Sequence, residues 1–286
     1  MARPSAASIH AFADRLRPAV RRQFLQAVNA LRGTVTLDDL IDAVAQGRIS
    51  VRLDAKLAGL SADLRAAVAT VNRIFDEAQR VAADALDQSF GLQLRFDVVN
   101  PRALTAAGRG ARLVREVTES TRQGIQATIV RSIRDGIPPA EAARILRPTI
   151  GLTDRQAMAV MNYRFSLLEE GASADTVARA AERYAAQLLR KRSETIARTE
   201  TIRAGREGRD ETWRQARAEG LLPDTARRRW VVTDDDRLCP ACEPLGGVEV
   251  GLDEAFPRGG GDGPPLHPNC RCTTVLVIPR RSRPEA

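Results

Sequence analysis

Over most of the first 220 residues the apolar positions recur every three or four residues, the period of an amphipathic helix. Ile9, Phe12, Leu16, Val20, Phe24 and Val28 mark one face of a helix over 5–31. Pro18 is expected to kink or divide it, because its ring meets the carbonyl four residues back. Thr36 and Asp39 form a capping-box start for a short helix that carries Leu40, Ile41 and Val44 and stops at Gly47. Ser61 is expected to cap a long helix to about Phe90, through Leu64, Val68, Val71, Phe75, Ala78, Ala82 and Leu86, with Gly91 ending it. Alternation over 92–98 predicts a strand or extended arm. Asn100-Pro101 opens helices over 101–107 and 111–135, closed at Gly136. Pro138 and Pro139 start a helix to Leu146, Thr153 caps one through Leu168, and Ser173 caps the longest stretch, 174 to about 218. No repeat of fixed period is present, which excludes a solenoid.

The second half of that longest helix breaks the pattern. Between Ser193 and Arg217 its strongly apolar residues are Ile196, Ile202 and Trp213, and Arg or Glu fills much of the rest. Such a helix reads either as a solvated face laced by ion pairs or as an arginine face that docks a partner or DNA. Beyond Pro223 the period becomes that of strands, expected at 229–233, 246–250 and 274–278, with a Gly- and Pro-rich loop at 259–265. That loop lacks the Lys-Ser/Thr of a phosphate-binding P-loop. The fold class is therefore mainly α, an elongated multi-helix body with a small C-terminal β module. The expected divisions are an N-terminal helical region over 1–120, a second helical part over 121–223, the β module over 224–280 and a basic tail over 281–286.

Composition changes this picture in two ways. Aromatic residues are only 4%, so the core is built from Ala, Leu, Val and Ile. The net charge of +8 favours an anionic partner. With 42 Arg against 2 Lys it is also the excess that a GC-rich coding bias produces, which discounts it. Its distribution says more: residues 1–229 hold 38 basic against 27 acidic side chains, and residues 230–286 hold 6 against 9. Weak binding of double-stranded DNA without sequence preference is thus expected of the helical body, through Arg190, Lys191, Arg192, Arg198, Arg203, Arg206, Arg209, Arg214 and Arg217. Glu194, Glu200, Glu207, Asp210 and Glu211 offset five of them. No stretch of 18 apolar residues exists to span a membrane, and the N-terminus lacks the apolar core of a secretory signal, so a cytoplasmic start is expected.

All four cysteines fall late in the chain, in Cys239-Pro240-Ala241-Cys242 and His267-Pro268-Asn269-Cys270-Arg271-Cys272. Two close pairs of soft ligands joined by a loop suit a tetrahedral Zn²⁺, because each short spacing lets one turn present two side chains. Four of Cys239, Cys242, His267, Cys270 and Cys272 would close a structural site, and so small a β module needs such a staple. Two other readings stay open: disulfides, disfavoured in a reducing compartment, and a hydrolase, with either a Cys nucleophile and His267 as base or an open metal site holding a water, for which no positioned carboxylate offers itself as general base. A zinc ribbon that binds cellular nucleic acid is a further alternative.

The succession Ile196-Ala197-Arg198-Thr199-Glu200-Thr201, Trp230-Val231-Val232-Thr233, Cys239-Pro240-Ala241-Cys242, Leu245-Gly246-Gly247 and His267-Pro268-Asn269-Cys270-Arg271-Cys272 resembles the phage Mu F-type minor head proteins, a phage head morphogenesis family. The resemblance covers about 125–278, and the final His-Pro-Asn-Cys-Arg-Cys is its most specific part. Gly151-Leu152-Thr153-Asp154-Arg155-Gln156 is similar to the family's helix entry. Gly246-Gly247 stands where members usually carry Asp-Gly, a departure that touches a turn and no ligand. The resemblance implies a minor protein of a tailed-phage or prophage-derived head, assembled in the bacterial cytoplasm and present in few copies. It also implies association with the portal protein and other head proteins, and a part in DNA packaging or ejection. It implies no enzymatic activity and no small-molecule substrate. Some relatives carry a fused toxin domain, which is not expected beyond Ala286. Residues 1–120 are the expected portal or scaffold contact.

Overall fold

Thr36 and Thr153 start their helices as their sequences dictate. The Thr36 hydroxyl accepts from the Asp39 N–H at 3.3 Å, and the Asp39 carboxylate accepts from the Thr36 N–H at 2.8 Å. Thr153 and Gln156 repeat the exchange at 3.3 and 3.2 Å. In the computed structural model, which describes residues 6–91, 105, 110–233 and 238–279, these caps open α2 (Leu37–Ala45) and α8 (Asp154–Glu169). The other helices are α1 (Ala6–Thr34), α3 (Val51–Asp63), α4 (Arg65–Phe90), α5 (Arg112–Arg115), α6 (Val117–Arg134), α7 (Pro139–Leu146) and α9 (Ala174–Ala218). The segment expected at 92–98, the helix expected over 101–107 apart from Thr105, the tail 281–286 and the side chains of Ile9 and Phe12 lie outside the described residues.

Pro18 does not divide α1, which runs as one helix through it, and one expectation is corrected. Ser61 caps nothing: it lies inside α3, which Ser50 caps through the Leu53 N–H, and its hydroxyl meets that of Thr118 at 2.9 Å. The chain breaks at Leu64 instead. Leu53, Leu57, Leu60 and Leu64 are all buried and keep the helical period across the break, so periodicity does not reveal it.

The chain divides into two compact units, neither continuous in sequence. One comprises 19–68 and 112–196. Its buried residues include Phe24, Leu40, Leu57, Ile125, Ile129 and Met161. A Cβ on Gly124 would stand 2.6 Å from the Leu152 carbonyl oxygen, so only glycine lets α6 pass this close to the turn before α8. Asp39, almost fully buried, holds Arg52 at 2.8 Å and pairs with Lys56. Burial pushes its carboxyl up, but the bonds from Lys56 and Thr36 outweigh this and hold it at about 2.

The other unit comprises 1–18, 69–111 and 197–286. Here α4 and the second half of α9 approach at Gly208, where any Cβ would collide with the Phe75 carbonyl. Three antiparallel strands follow, β1 (Arg227–Val231), β2 (Glu249–Gly251) and β3 (Thr273–Val277), in the order β2-β1-β3. The central strand pairs Arg228 with Val250 on one side and with Leu276 on the other. Its alternation puts Arg228 and Trp230 on one buried face. Trp230 packs inside the module with Leu245, Val250, Phe256 and three of the cysteines, its ring edge-to-face with Phe256 at 5.1 Å. Trp213 serves a separate cluster with Leu86, Ala216, Leu222 and Leu252.

Candidate metal centre

Each ligand pair sits on a short turn that its residues impose. After β1, the N–H groups of Cys242 and Glu243 both bond the Cys239 carbonyl, at 2.9 and 3.0 Å, while the Ala241 N–H points at the Cys239 sulfur at 3.3 Å. The second turn closes through Cys270 N–H to the His267 carbonyl at 3.1 Å, with Asn269 in the left-handed region at φ 62°. Asparagine tolerates that conformation better than most residues. The Asn269 N–H donates to the Thr199 hydroxyl on α9 at 3.1 Å, which fastens this turn to the helix.

The turns bring the five candidate ligands into two overlapping triads. Cys239, Cys242 and His267 have ligand atoms within 4.8 Å of one another, and so do Cys242, Cys270 and Cys272. Cys242 belongs to both, its sulfur 3.3 Å from His267 Nε2 and 3.8 Å from the Cys270 sulfur. The latter spacing is far beyond a disulfide bond. His267 Nδ1 lies 2.9 Å from the Pro268 carbonyl, which can only accept, so Nδ1 carries the proton and the Nε2 lone pair faces the sulfurs.

Electrostatics split the thiols. Backbone N–H groups of Cys242 and Ala241 hold the Cys239 thiol below its usual range, and the Cys272 hydrogen bond, against burial, brings Cys270 down to about 5. Burial and the neighbouring Cys270 charge push Cys242 up to about 12, and the Cys270 bond and burial raise Cys272 as well. For His267 burial works downward, but the Pro268 carbonyl and the charges of Cys270 and Cys239 raise it overall. One sulfur of each pair is held low and the other raised, because two thiolates this close repel each other. A divalent ion among them would relieve that repulsion, and the donor set can hold a metal ion.

Residues 165–275 match the family model described as Phage Mu protein F like protein. The match marks a Mu F-like segment within the chain. No curated protein and no solved structure matches the chain. The Mu F-like segment takes in the end of α8, all of α9 and the module as far as β3, and so contains all five candidate ligands.

Within the Mu F-like segment the polar half of α9 is neither a solvated face nor an open arginine face. Asp210 is fully buried, and its carboxylate accepts from Arg206 and Arg228 at 3.1 Å each and from the Thr274 hydroxyl at 3.1 Å. Arg228 and Arg206 also donate to the Asp262 carbonyl, at 2.7 and 3.1 Å. Arg209 donates to the hydroxyls of Thr273 and Thr274 and lies 4.8 Å over the Trp213 ring. Burial pushes the Asp210 carboxyl up, but the surrounding arginines outweigh it and hold it below its ordinary value. The helix is polar because its charges find partners inside the fold.

This placement sorts the nine expected DNA contacts. Arg206 and Arg209 are buried in that network, and Arg192 is buried over Phe24, donating to the Gly151 carbonyl and the Ser120 hydroxyl. These three guanidiniums are not presented to a partner. Arg203 pairs with Glu200, Arg214 with Glu211 and Asp253, and Arg217 with Asp253, while Arg198 is half-buried. Arg190 and Lys191 are exposed. Arg228, central to the network, carries no sequence signal beyond its place two residues before a tryptophan in a strand.

Proposed function

We propose that this protein is a minor head component of a tailed phage or prophage-derived particle, associated with the portal protein, with a module held by one structural Zn²⁺. The observation that carries the reading is the family match over 165–275, which takes in both ligand turns and the half of α9 to which the second turn is bonded. For zinc, the 3.8 Å between the Cys242 and Cys270 sulfurs equals the edge of a tetrahedron built on bonds of about 2.3 Å. Zinc would supply structure here and no chemistry, and the reading includes no catalysed reaction and no small-molecule substrate. The test is expression of a tagged full-length chain alongside its particle. The protein should enter purified heads at low copy number and capture the portal ring. Recovery with sheared nucleic acid alone, and exclusion from particles, would favour the cellular nucleic-acid binder.

The same reading includes weak, sequence-independent binding of double-stranded DNA through the basic helical body, with Arg190 and Lys191 as the contacts left open by burial. Affinity on the order of micromolar or weaker is expected, falling steeply with salt. Replacing both residues with Gln should weaken binding to every duplex sequence alike and reduce the salt slope by about one per lost phosphate contact. Equal affinity and an unchanged slope in that variant would move the contact elsewhere.

A further inference from the structure

The chain has two tyrosines, and they meet at the surface. Tyr163 on α8 and Tyr184 on α9 stand edge-to-face with ring centroids 5.1 Å apart, and Tyr163 is 38% exposed. They line a groove of about 460 Å³ whose charged lining residues are Arg183 and Arg190, with Gln187 between them and, among the described residues, no carboxylate in the wall. Arg183, Gln187 and Arg190 recur at four and three residues, so they share one face of α9. Both arginines are exposed.

We propose that this groove binds single-stranded nucleic acid, with an unpaired base stacked on the tyrosine pair and Arg183 and Arg190 on the flanking phosphates. Three features favour that occupant. An edge-to-face pair leaves at least one ring with a face its partner does not cover, and every base has a flat face to lay on it. Arg183 and Arg190 are about 10 Å apart along the helix, at 1.5 Å per residue, within reach of phosphates on either side of a stacked base. Gln187, between them, offers both a donor and an acceptor to a base edge. The larger groove of the same unit, about 890 Å³ along α6, lacks this character. Its Arg122 is engaged by Asp54 and Glu119 and its Arg131 by Asp135, and no aromatic ring lines it. Double-stranded DNA could satisfy the arginines but leaves the ring faces unused, so the tyrosines make the distinction between single strand and duplex.

The test is anisotropy with the full-length protein, using a labelled dT oligonucleotide of about 12 nucleotides, its abasic counterpart and a duplex of equal length. Tyr163→Leu keeps an apolar side chain but removes the flat face. It should weaken dT binding about tenfold and leave duplex binding within about twofold, a loss in line with one lost base stack. Tyr163→Phe should bind as the unaltered protein does, and Arg183→Gln should weaken dT binding and lower its salt slope by about one. Unchanged dT affinity in Tyr163→Leu, equal binding of the abasic strand, or binding of labelled polyglutamate by a protein that ignores dT would each overturn the proposal, the last in favour of an acidic protein partner. A thermal melt of each variant separates lost binding from lost folding. Should Tyr163→Leu unfold, the abasic comparison on the unaltered protein decides alone. Because the assay uses purified chain in solution, its failure leaves incorporation into heads untouched.

Discussion

Cys242→Ser should reduce bound metal from about one ion per chain to almost none, whereas His267→Ala or Cys272→Ser alone should leave it in place. Five donors compete for four positions, so either peripheral donor can be replaced by the remaining one. Cys242 cannot be, since it is the member common to both triads and lies between His267 and Cys270. Structural zinc contributes roughly 10–16 kcal/mol in small domains, far more than so short a sheet could supply, and its loss should unfold the module. Elemental analysis of protein purified without chelator gives the stoichiometry. Fluorescence follows the unfolding, because Trp213 and Trp230 both lie in the module's unit. A Cys242→Ser protein that keeps its metal, or a metal-free protein that unfolds at the same temperature as the loaded one, would remove the centre from this account.

Asp210→Ala should destabilise the same unit by about 3 to 5 kcal/mol, the usual result of leaving buried charge unpaired. Three guanidiniums, from Arg206, Arg209 and Arg228, face that one carboxylate within 4 Å. Its removal leaves Arg209 and Arg228 with carbonyls and hydroxyls, while Arg206 keeps its pair with Glu207 at 3.0 Å. The carboxyl's depressed pKa fixes the sign of the acid dependence. Its stabilisation is complete above the unfolded value of about 3.9 and is lost as pH falls through the lower folded value. The unaltered protein should therefore lose stability below about pH 4 through this group, and the variant should lack that component. Urea unfolding followed by tryptophan fluorescence measures both, and a change under about 1 kcal/mol would mean that the network is stabilised by something other than Asp210.

The contrast between what residues revealed and what they concealed has a physical basis. Thr36 with Asp39 and Thr153 with Gln156 were readable because a cap is a contract between neighbours three residues apart. The cysteine turns were readable for the same reason, and the long interval between them mattered only as a loop. The interior of α9 was not. Asp210 finds Arg228 18 residues on and Thr274 64 residues on, and a hydropathy pattern registers a charge without its distant partner. The β1 strand carries Arg228 and Trp230 side by side on a buried face, and an arginine there reads from sequence as an edge or a surface. The expected strands lay one to three residues off because the turns that bound them are set by packing.

The order of β2-β1-β3 has a consequence for synthesis. Strand β1 is central, yet one of its two neighbours, β3, begins 46 residues after it starts, and β3 brings Thr273 and Thr274 to Arg209 and Asp210. At 5 to 20 residues per second the ribosome needs roughly 2 to 10 s to deliver that strand. During this interval one edge of β1 lacks its partner strand, the second ligand pair is missing, and Arg209 and Asp210 lack the hydroxyls of Thr273 and Thr274. The last segment to be made thus closes the sheet, the ligand set and the polar network of α9 together.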